Sequence, residues 1–255
     1  MAVVSRTSIK SLIEKGDIVV YPQSPDKIGN CSIDVRLGEY FFRQTKPTGP
    51  LYPYADGRDE NHQPLLDKDV FSSIFDKYSI NDKEVDQQFE IYKEEHQSSP
   101  AIHPWDSEPQ RAVNAEQLKH LGSGIAQNIP LIVIKPGETI LATTEEFIGS
   151  RLECTTMAKT KSSLARIGLD CFGSSGWGDI GYVNRWAFPL HNKSNRIILL
   201  RPGTWVAQIV FMKVSDPEIS YTQGGNYQAT DDFERLVKEW KPQHILPKHL
   251  TCNPV

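Results

Sequence analysis

The sequence predicts a mainly β protein: a distorted β-barrel or jelly roll with a few short helices and an acidic insertion. Three observations carry this. Runs rich in Val, Ile, Leu and aromatic residues recur through the second half of the chain at about the 8–12-residue spacing of sandwiches and barrels. Pro-Gly and Asn-Lys-Ser turns separate them, and no helical pattern lies between, which argues against a doubly wound sheet. With 255 residues, 38% of them hydrophobic, the chain can bury one sizeable core.

In order, TSIKSLIEKG places Ile9, Leu12 and Ile13 at helical spacing, with Thr7 or Ser8 as N-cap and Gly16 as the stop. IVVYP, SIDVRLG and EYFFR follow as strands. Residues 44–129 change character, from Pro-rich to acidic and helix-permissive and back to Pro-rich, and read as an insertion on a single domain spanning 1–255. A solvated surface excursion is the favoured reading of that span over a partner-binding segment. Strands return in IPLIVIKPG, ETILATTEEFIG, LECTTMAKT, GYVNRWAFPLHN, NRIILLRPG and TWVAQIVFMKVS. Residues 223–255 form a C-terminal tail, in which Phe233, Leu236, Val237 and Trp240 make one apolar helix face before Pro242.

The net charge of -4 gives no electrostatic reason to expect nucleic acid as a partner, although a few placed donors suffice for a small anion. The four cysteines, Cys31, Cys154, Cys171 and Cys252, lie far apart without a C-x-x-C spacing and read as reduced structural thiols. The histidines do not cluster at ligand spacing, so no protein-ligated metal is expected. There is neither the apolar core of a signal peptide nor a membrane-length apolar run, and a soluble, cytoplasmic protein is expected.

Chemistry concentrates in a few places. KSSLARIG offers the hydroxyls of Ser162 and Ser163 and the cations Lys161 and Arg166, the donors a phosphate chain requires; an ordinary capped turn has the same pattern. In GWGDIGY, Asp179 sits between glycines that permit a sharp turn and close approach of a ligand; an Asx-type turn is the alternative. Tyr182 can stack beneath a ribose or simply pack. Beyond it, Trp186, Phe188 and Leu190 should face the core, and Ala187, Pro189 and His191 the opposite side. Pro189 cannot donate to a ladder and belongs at an edge or an irregular pairing. His191 can titrate near neutrality, yet such a histidine is more often structural. Gln208, between apolar residues on a strand, needs partners for its amide, and a phosphate oxygen or a neighbouring backbone would serve.

Taken in order, GDIVVYP with SIDVRLG, KPGETILATTEEF, KSSLARIGL, GDIGY with the HN turn, and RPGTWVAQIVF resemble the dCTP deaminase and trimeric dUTPase superfamily, more closely its deaminase branch. The resemblance covers residues 8–43 and about 132–215. It implies a dUTPase-like (β-clip) barrel assembling as a homotrimer, with sites for dCTP or dUTP between subunits and Mg²⁺ bound through the triphosphate. It implies that Lys161, Ser162, Ser163, Arg166 and Gln208 hold phosphates and that Asp179 and Tyr182 contact the deoxyribose, Tyr182 rejecting a 2′-hydroxyl by crowding. Lys161 stands where arginine is usual, which keeps the charge and loses the bidentate fork. Pro189 occupies the position of the glutamate that serves as general base and acid in deamination, so Asp170 or His191 would have to replace it. Asn226 stands for a phosphate-binding lysine, and Trp205 for the arginine of G-x-R-x-A-Q. Three functions are compatible: a dCTP deaminase using another base, a dUTP diphosphatase in which Asp179 orients the attacking water, and a non-catalytic nucleotide-binding regulator.

Overall fold

The computed structural model describes residues 2–23, 27–44, 83, 86, 87, 90, 104–114, 129–215, 221, 225–228 and 230–248. The chain forms two compact units, Met1–Arg43 with Ser107–Ile245, and Gln44–Asp106 with Leu246–Val255. In the second unit the described residues include an antiparallel bridge between Gln44 and Trp105. Most of span 44–129 lies outside the described residues, but 110–114 supply two short strands of the first unit.

The first unit is mainly β. Its strands are β1 (Ala2–Val3), β2 (Ile18–Tyr21), β3 (Ser32–Arg43), β4 (Gln110–Arg111), β5 (Val113–Asn114), β6 (Pro130–Ile134) and β7 (Thr139–Ser150). They continue with β8 (Cys154–Thr160), β9 (Leu169–Cys171), β10 (Trp177–Gly178), β11 (Val183–Asn192), β12 (Ile198–Leu200) and β13 (Trp205–Lys213). The helices are α1 (Arg6–Glu14), the single turn α2 (Ser162–Ala165) and α3 (Phe233–Glu239). A ten-stranded sheet runs β10-β8-β13-β3-β7-β11-β9, with β1 added to β13, β2 to β7 and β4 to β3; β12-β6-β5 form a second sheet. Every pairing is antiparallel.

The alternation forecast for β11 holds: Trp186, Phe188 and Leu190 are buried in the core, while Ala187, Pro189 and His191 are half-buried on the other face. Phe188 stacks on Phe172 at 4.6 Å. The C-terminal helix forms where its apolar stripe placed it, with Asp232 as N-cap accepting from the Arg235 amide at 3.1 Å. Phe233 packs edge-on against Tyr21 and Phe147, and Trp240, just past the helix, meets Phe147, Tyr40 and the Arg185 guanidinium.

Two local expectations are corrected. Helix α1 is capped by Ser5 rather than Thr7 or Ser8: Ser5 is extended and its Oγ accepts from the Ser8 amide at 3.4 Å. SIDVRLG and EYFFR are one strand, β3, whose register against β7 shifts between Leu37 and Phe41. Gly38 sits in that irregularity because a Cβ there would lie 2.4 Å from Thr143 Oγ1. Pro189 does stand at an irregular pairing: its strand is flanked by β7 and β9, and it lies just past the last β9 pair, Leu190 with Cys171.

Asp17 joins the end of α1 to the β7–β8 corner. Its buried carboxylate accepts from Ser150 Oγ (2.7 Å) and from the amides of Leu152 (2.7 Å) and Glu153 (3.2 Å). Asp17→Ala strands these donors in a tight corner and should destabilise by about 2–4 kcal/mol in urea unfolding.

Candidate functional site

The phosphate-binding candidates stand at one end of β8. Strand β8 runs directly into Lys161, whose amide donates to Val206 O on β13 at 3.0 Å, and α2 then presents Ser162 and Ser163 exposed. Arg166 ends the turn, also exposed. Gly168 follows at φ 88, where a side chain would be strained and would press on Ser194.

An acid not singled out from sequence organises this end. Asp34 on β3 accepts from Lys161 Nζ at 2.5 Å and from Gln208 Nε2 at 3.0 Å. It faces Gln208 because the two are register partners across β13 and β3. Gln208 Nε2 also lies 3.4 Å from Ser32 Oγ, so both amide hydrogens are directed at protein acceptors and the carbonyl is the group left over. Next along the face, the Trp205 ring lies 5.2 Å from Lys27 Nζ and 5.3 Å from Arg36 Cζ. Arg36 is fixed in turn by Glu146, through its backbone amide (2.8 Å) and its Nε (2.6 Å).

Asp179 and Tyr182 stand at the other end of β8. Gly178 pairs with Thr156, and its carbonyl accepts from Thr155 Oγ1 at 2.8 Å. Within one chain Asp179 is therefore near Thr155 while Lys161 is at the far end of the strand, roughly 20 Å away at the rise of an extended chain. The chain alone does not bring the two groups together. The Asp179 carboxylate is exposed and takes no hydrogen bond among the described residues, so it is not spent on an Asx turn; the turn is closed by the Tyr182 amide on Asp179 O at 3.1 Å. Tyr182 packs edge-on against Trp186 (5.6 Å) and Tyr221 (4.9 Å), and burial pushes its phenol above the usual tyrosine range.

The tail reaches this turn through contacts the sequence did not disclose. Gln228, 4% exposed, accepts from the Val183 amide at 2.7 Å and donates to Gly181 O at 3.2 Å. Asn184 Nδ2 donates to Tyr227 O at 2.9 Å, and the Tyr221 amide donates to Ile180 O at 2.8 Å.

At the expected base position, Pro189 is opposite Leu141 and its carbonyl accepts from the Phe172 amide at 3.1 Å. The candidate replacements are engaged elsewhere. Asp170 and His191 are cross-strand partners on β9 and β11, but Asp170 is ion-paired to Lys193 Nζ at 2.5 Å and His191 Nδ1 is 2.6 Å from Thr139 Oγ1. Asn192 beside them is a keystone of the hairpin: its buried amide donates to Ile134 O and Arg196 O and accepts from the Ser194 amide and hydroxyl. Burial pushes the Cys154 thiol up to about 11 and the Cys171 thiol to about 12, so both remain protonated and unreactive near neutrality; Cys252 lies outside the described residues. Among the described residues no cluster of three or more His, Cys, Asp or Glu side chains could hold a metal, and no helix is long and apolar enough to cross a membrane.

The antiparallel sheet thus carries a hydroxyl- and cation-bearing turn at one end of a strand and an open aspartate at the other. The family model described as dCTP deaminase-like matches residues 82–214. The chain belongs to that family. A "dCTP deaminase, dUMP-forming" of Nanoarchaeum equitans is 29% identical over 91% of this chain and 95% of its own length. One of Methanopyrus kandleri is 26% identical over 91% and 93% respectively. The 2′-deoxycytidine 5′-triphosphate deaminase of Agrobacterium tumefaciens superposes with a TM-score of 0.46 at 14% identity, over 86% of this chain and 50% of that one.

Glu146, 1% exposed, has its carboxyl raised above the ordinary 4.5, because burial outweighs the Arg36 hydrogen bonds. The folded form thus keeps this proton to higher pH than the unfolded form, and stability present below about 4.5 is lost as pH rises through the raised value. Glu146→Gln should flatten that falling limb in a series of urea midpoints measured against pH.

Proposed function

We propose that the chain binds a pyrimidine deoxynucleoside triphosphate, dCTP or dUTP, between subunits of a homotrimer, and that it does not carry out ring deamination at the rate of a working deaminase. The observation that carries this reading is Pro189. Deamination of dCTP to dUTP and ammonia requires a group that takes a proton from water and returns it to the ring, and proline has none to exchange. The two neighbouring candidates are held by Lys193 and Thr139. Loss of general acid–base catalysis lowers the rate by about 10²–10⁴-fold.

The binding half rests on the phosphate end. Ser162, Ser163 and Arg166 are exposed on one short turn and Lys161 beside them is held by Asp34, which supports a turn offering hydroxyls and cations together to a triphosphate. Mg²⁺ arrives on the nucleotide. The distance between this end and Asp179 within one chain supports a site completed by a second copy, whose Asp179 and Tyr182 would meet the sugar. The Asp34 carboxylate and the leftover Gln208 carbonyl make Gln208 a contact for the hydrated cation or a donor group rather than for a bare phosphate oxygen.

A second reading rests on a different observation. The Asp179 carboxylate is exposed and without a protein partner, as a residue that orients water must be. Relatives are named "dCTP deaminase, dUMP-forming", and reaching a monophosphate from a triphosphate needs a cleavage at phosphorus that uses no base aimed at the ring. dUTP would then give dUMP and pyrophosphate.

The test is incubation of purified protein with dCTP and with dUTP in the presence of Mg²⁺, with products resolved by chromatography and binding followed by calorimetry. Both nucleotides are expected to bind, with no ammonia released from dCTP. Release of dUTP and ammonia at about 1 s⁻¹ or faster would overturn the reading. Formation of dUMP that Asp179→Asn abolishes would establish the diphosphatase alternative. A monomer by light scattering would remove the intersubunit site.

A further inference from the structure

Pro189 does more than remove a carboxylate. In the antiparallel pairing of β9 with β11, Leu190 faces Cys171, so the next pair along is Pro189 with Phe172. That pair is of the closely spaced kind, in which two residues exchange both hydrogen bonds. One is made, from the Phe172 amide to Pro189 O at 3.1 Å. The return bond, from the amide of 189 to Phe172 O, cannot exist.

The stranded carbonyl is not left bare. Phe172 O accepts from the Ser175 amide at 2.8 Å and from Ser175 Oγ at 2.6 Å. Reaching it requires a sharp reversal. Phe172 takes φ 74, the one non-glycine residue with positive φ among those described, and Gly173 follows at φ 53. A buried aromatic residue in the left-handed region is strained by about 1 kcal/mol or more, and its ring is held there by Phe188 and Trp186.

We infer that Ser175 and Pro189 form one unit: the Ser175 hydroxyl is the donor that replaces the missing amide of residue 189, and the 172–175 turn it closes blocks the pocket position a second time. This deepens the reading of Pro189 given above. Its consequence is that Pro189→Glu alone does not rebuild a deaminase pocket. The new glutamate would bring an N–H directed at a carbonyl whose two acceptor sites are already filled, and the strand would shift to avoid it.

The experiment is a cycle of wild type, Ser175→Ala, Pro189→Ala and the double variant. Pro189→Ala restores the amide without burying a carboxylate, so the cycle survives if the glutamate variant misfolds. Ser175→Ala is expected to lower Tm by about 2–4 °C, and the double variant to recover most of that loss. Native-state hydrogen exchange gives a second readout. The new amide at 189 should exchange freely in Pro189→Ala and about tenfold more slowly once Ser175→Ala is added. Additive Tm shifts, or an amide equally protected in both backgrounds, would overturn the inference. Turnover of dCTP by Pro189→Glu/Ser175→Ala but not by Pro189→Glu would support the second block directly. Coupled exchange with no turnover in either glutamate variant would support the Ser175–Pro189 unit while overturning the deaminase-pocket reading, so the two ideas fail separately.

Discussion

The first unit depends on β7 being paired along both edges. Twelve residues long, it meets β11 over its length on one side and β3 and then β2 on the other, and is buried almost throughout. A strand in that position leaves no water for its backbone, so each neighbour must arrive in register or supply a substitute donor. Two register breaks mark where that demand is relaxed: one lies opposite Gly38, the other between Arg185 and Ala187. Both fall beside the buried polar run Thr143, Thr144 and Glu146. There Thr144 Oγ1 accepts from the Trp186 amide and Glu146 receives Arg36. The bulges convert ladder positions into side-chain anchoring points, and Arg36, Trp205 and β13 are placed by them.

From β13 the constraint passes to the candidate site. Lys161 is a point charge on a flexible stem where a planar fork would orient itself. Asp34 compensates by holding the ammonium from the next strand but one, while leaving other donors of Lys161 for a ligand. The same carboxylate turns the Gln208 amide. One acid thus decides which way two of the candidate groups point, and their behaviour toward a ligand cannot be assigned from residue type alone.

This marks the boundary between what the sequence could and could not disclose. The strands after residue 130, the core face of β11 and the C-terminal helix were legible because period and turn chemistry are local. The single strand β3 was not, since Gly38 reads as a break until Thr143 is seen against it. Asp34, Glu146 and Gln228 were missed for a related reason: their partners are distant in sequence, 127 residues away for Lys161 with Asp34 and 45 for Gln228 with Val183. Polar residues on strands look like solvent-facing ones when the strand across from them is unknown. Ser175 lay inside the glycine-rich stretch before Asp179, where a serine is unremarked.

Pro189 is instructive because it was noticed for its chemistry and explained by its backbone. A proline on an inner strand removes one ladder bond, and a buried carbonyl deprived of its donor costs about 1–3 kcal/mol. That penalty would be expected to select against the residue unless another donor lies within reach. Here the donor comes from three residues beyond the acceptor, and bringing it there demands a left-handed Phe172 held by stacked aromatic rings. Side chain, turn and ring packing therefore depend on one another. A change at residue 189 is thus a change to the strand as well as to a side chain: any residue there that brings an amide meets a carbonyl already held by Ser175.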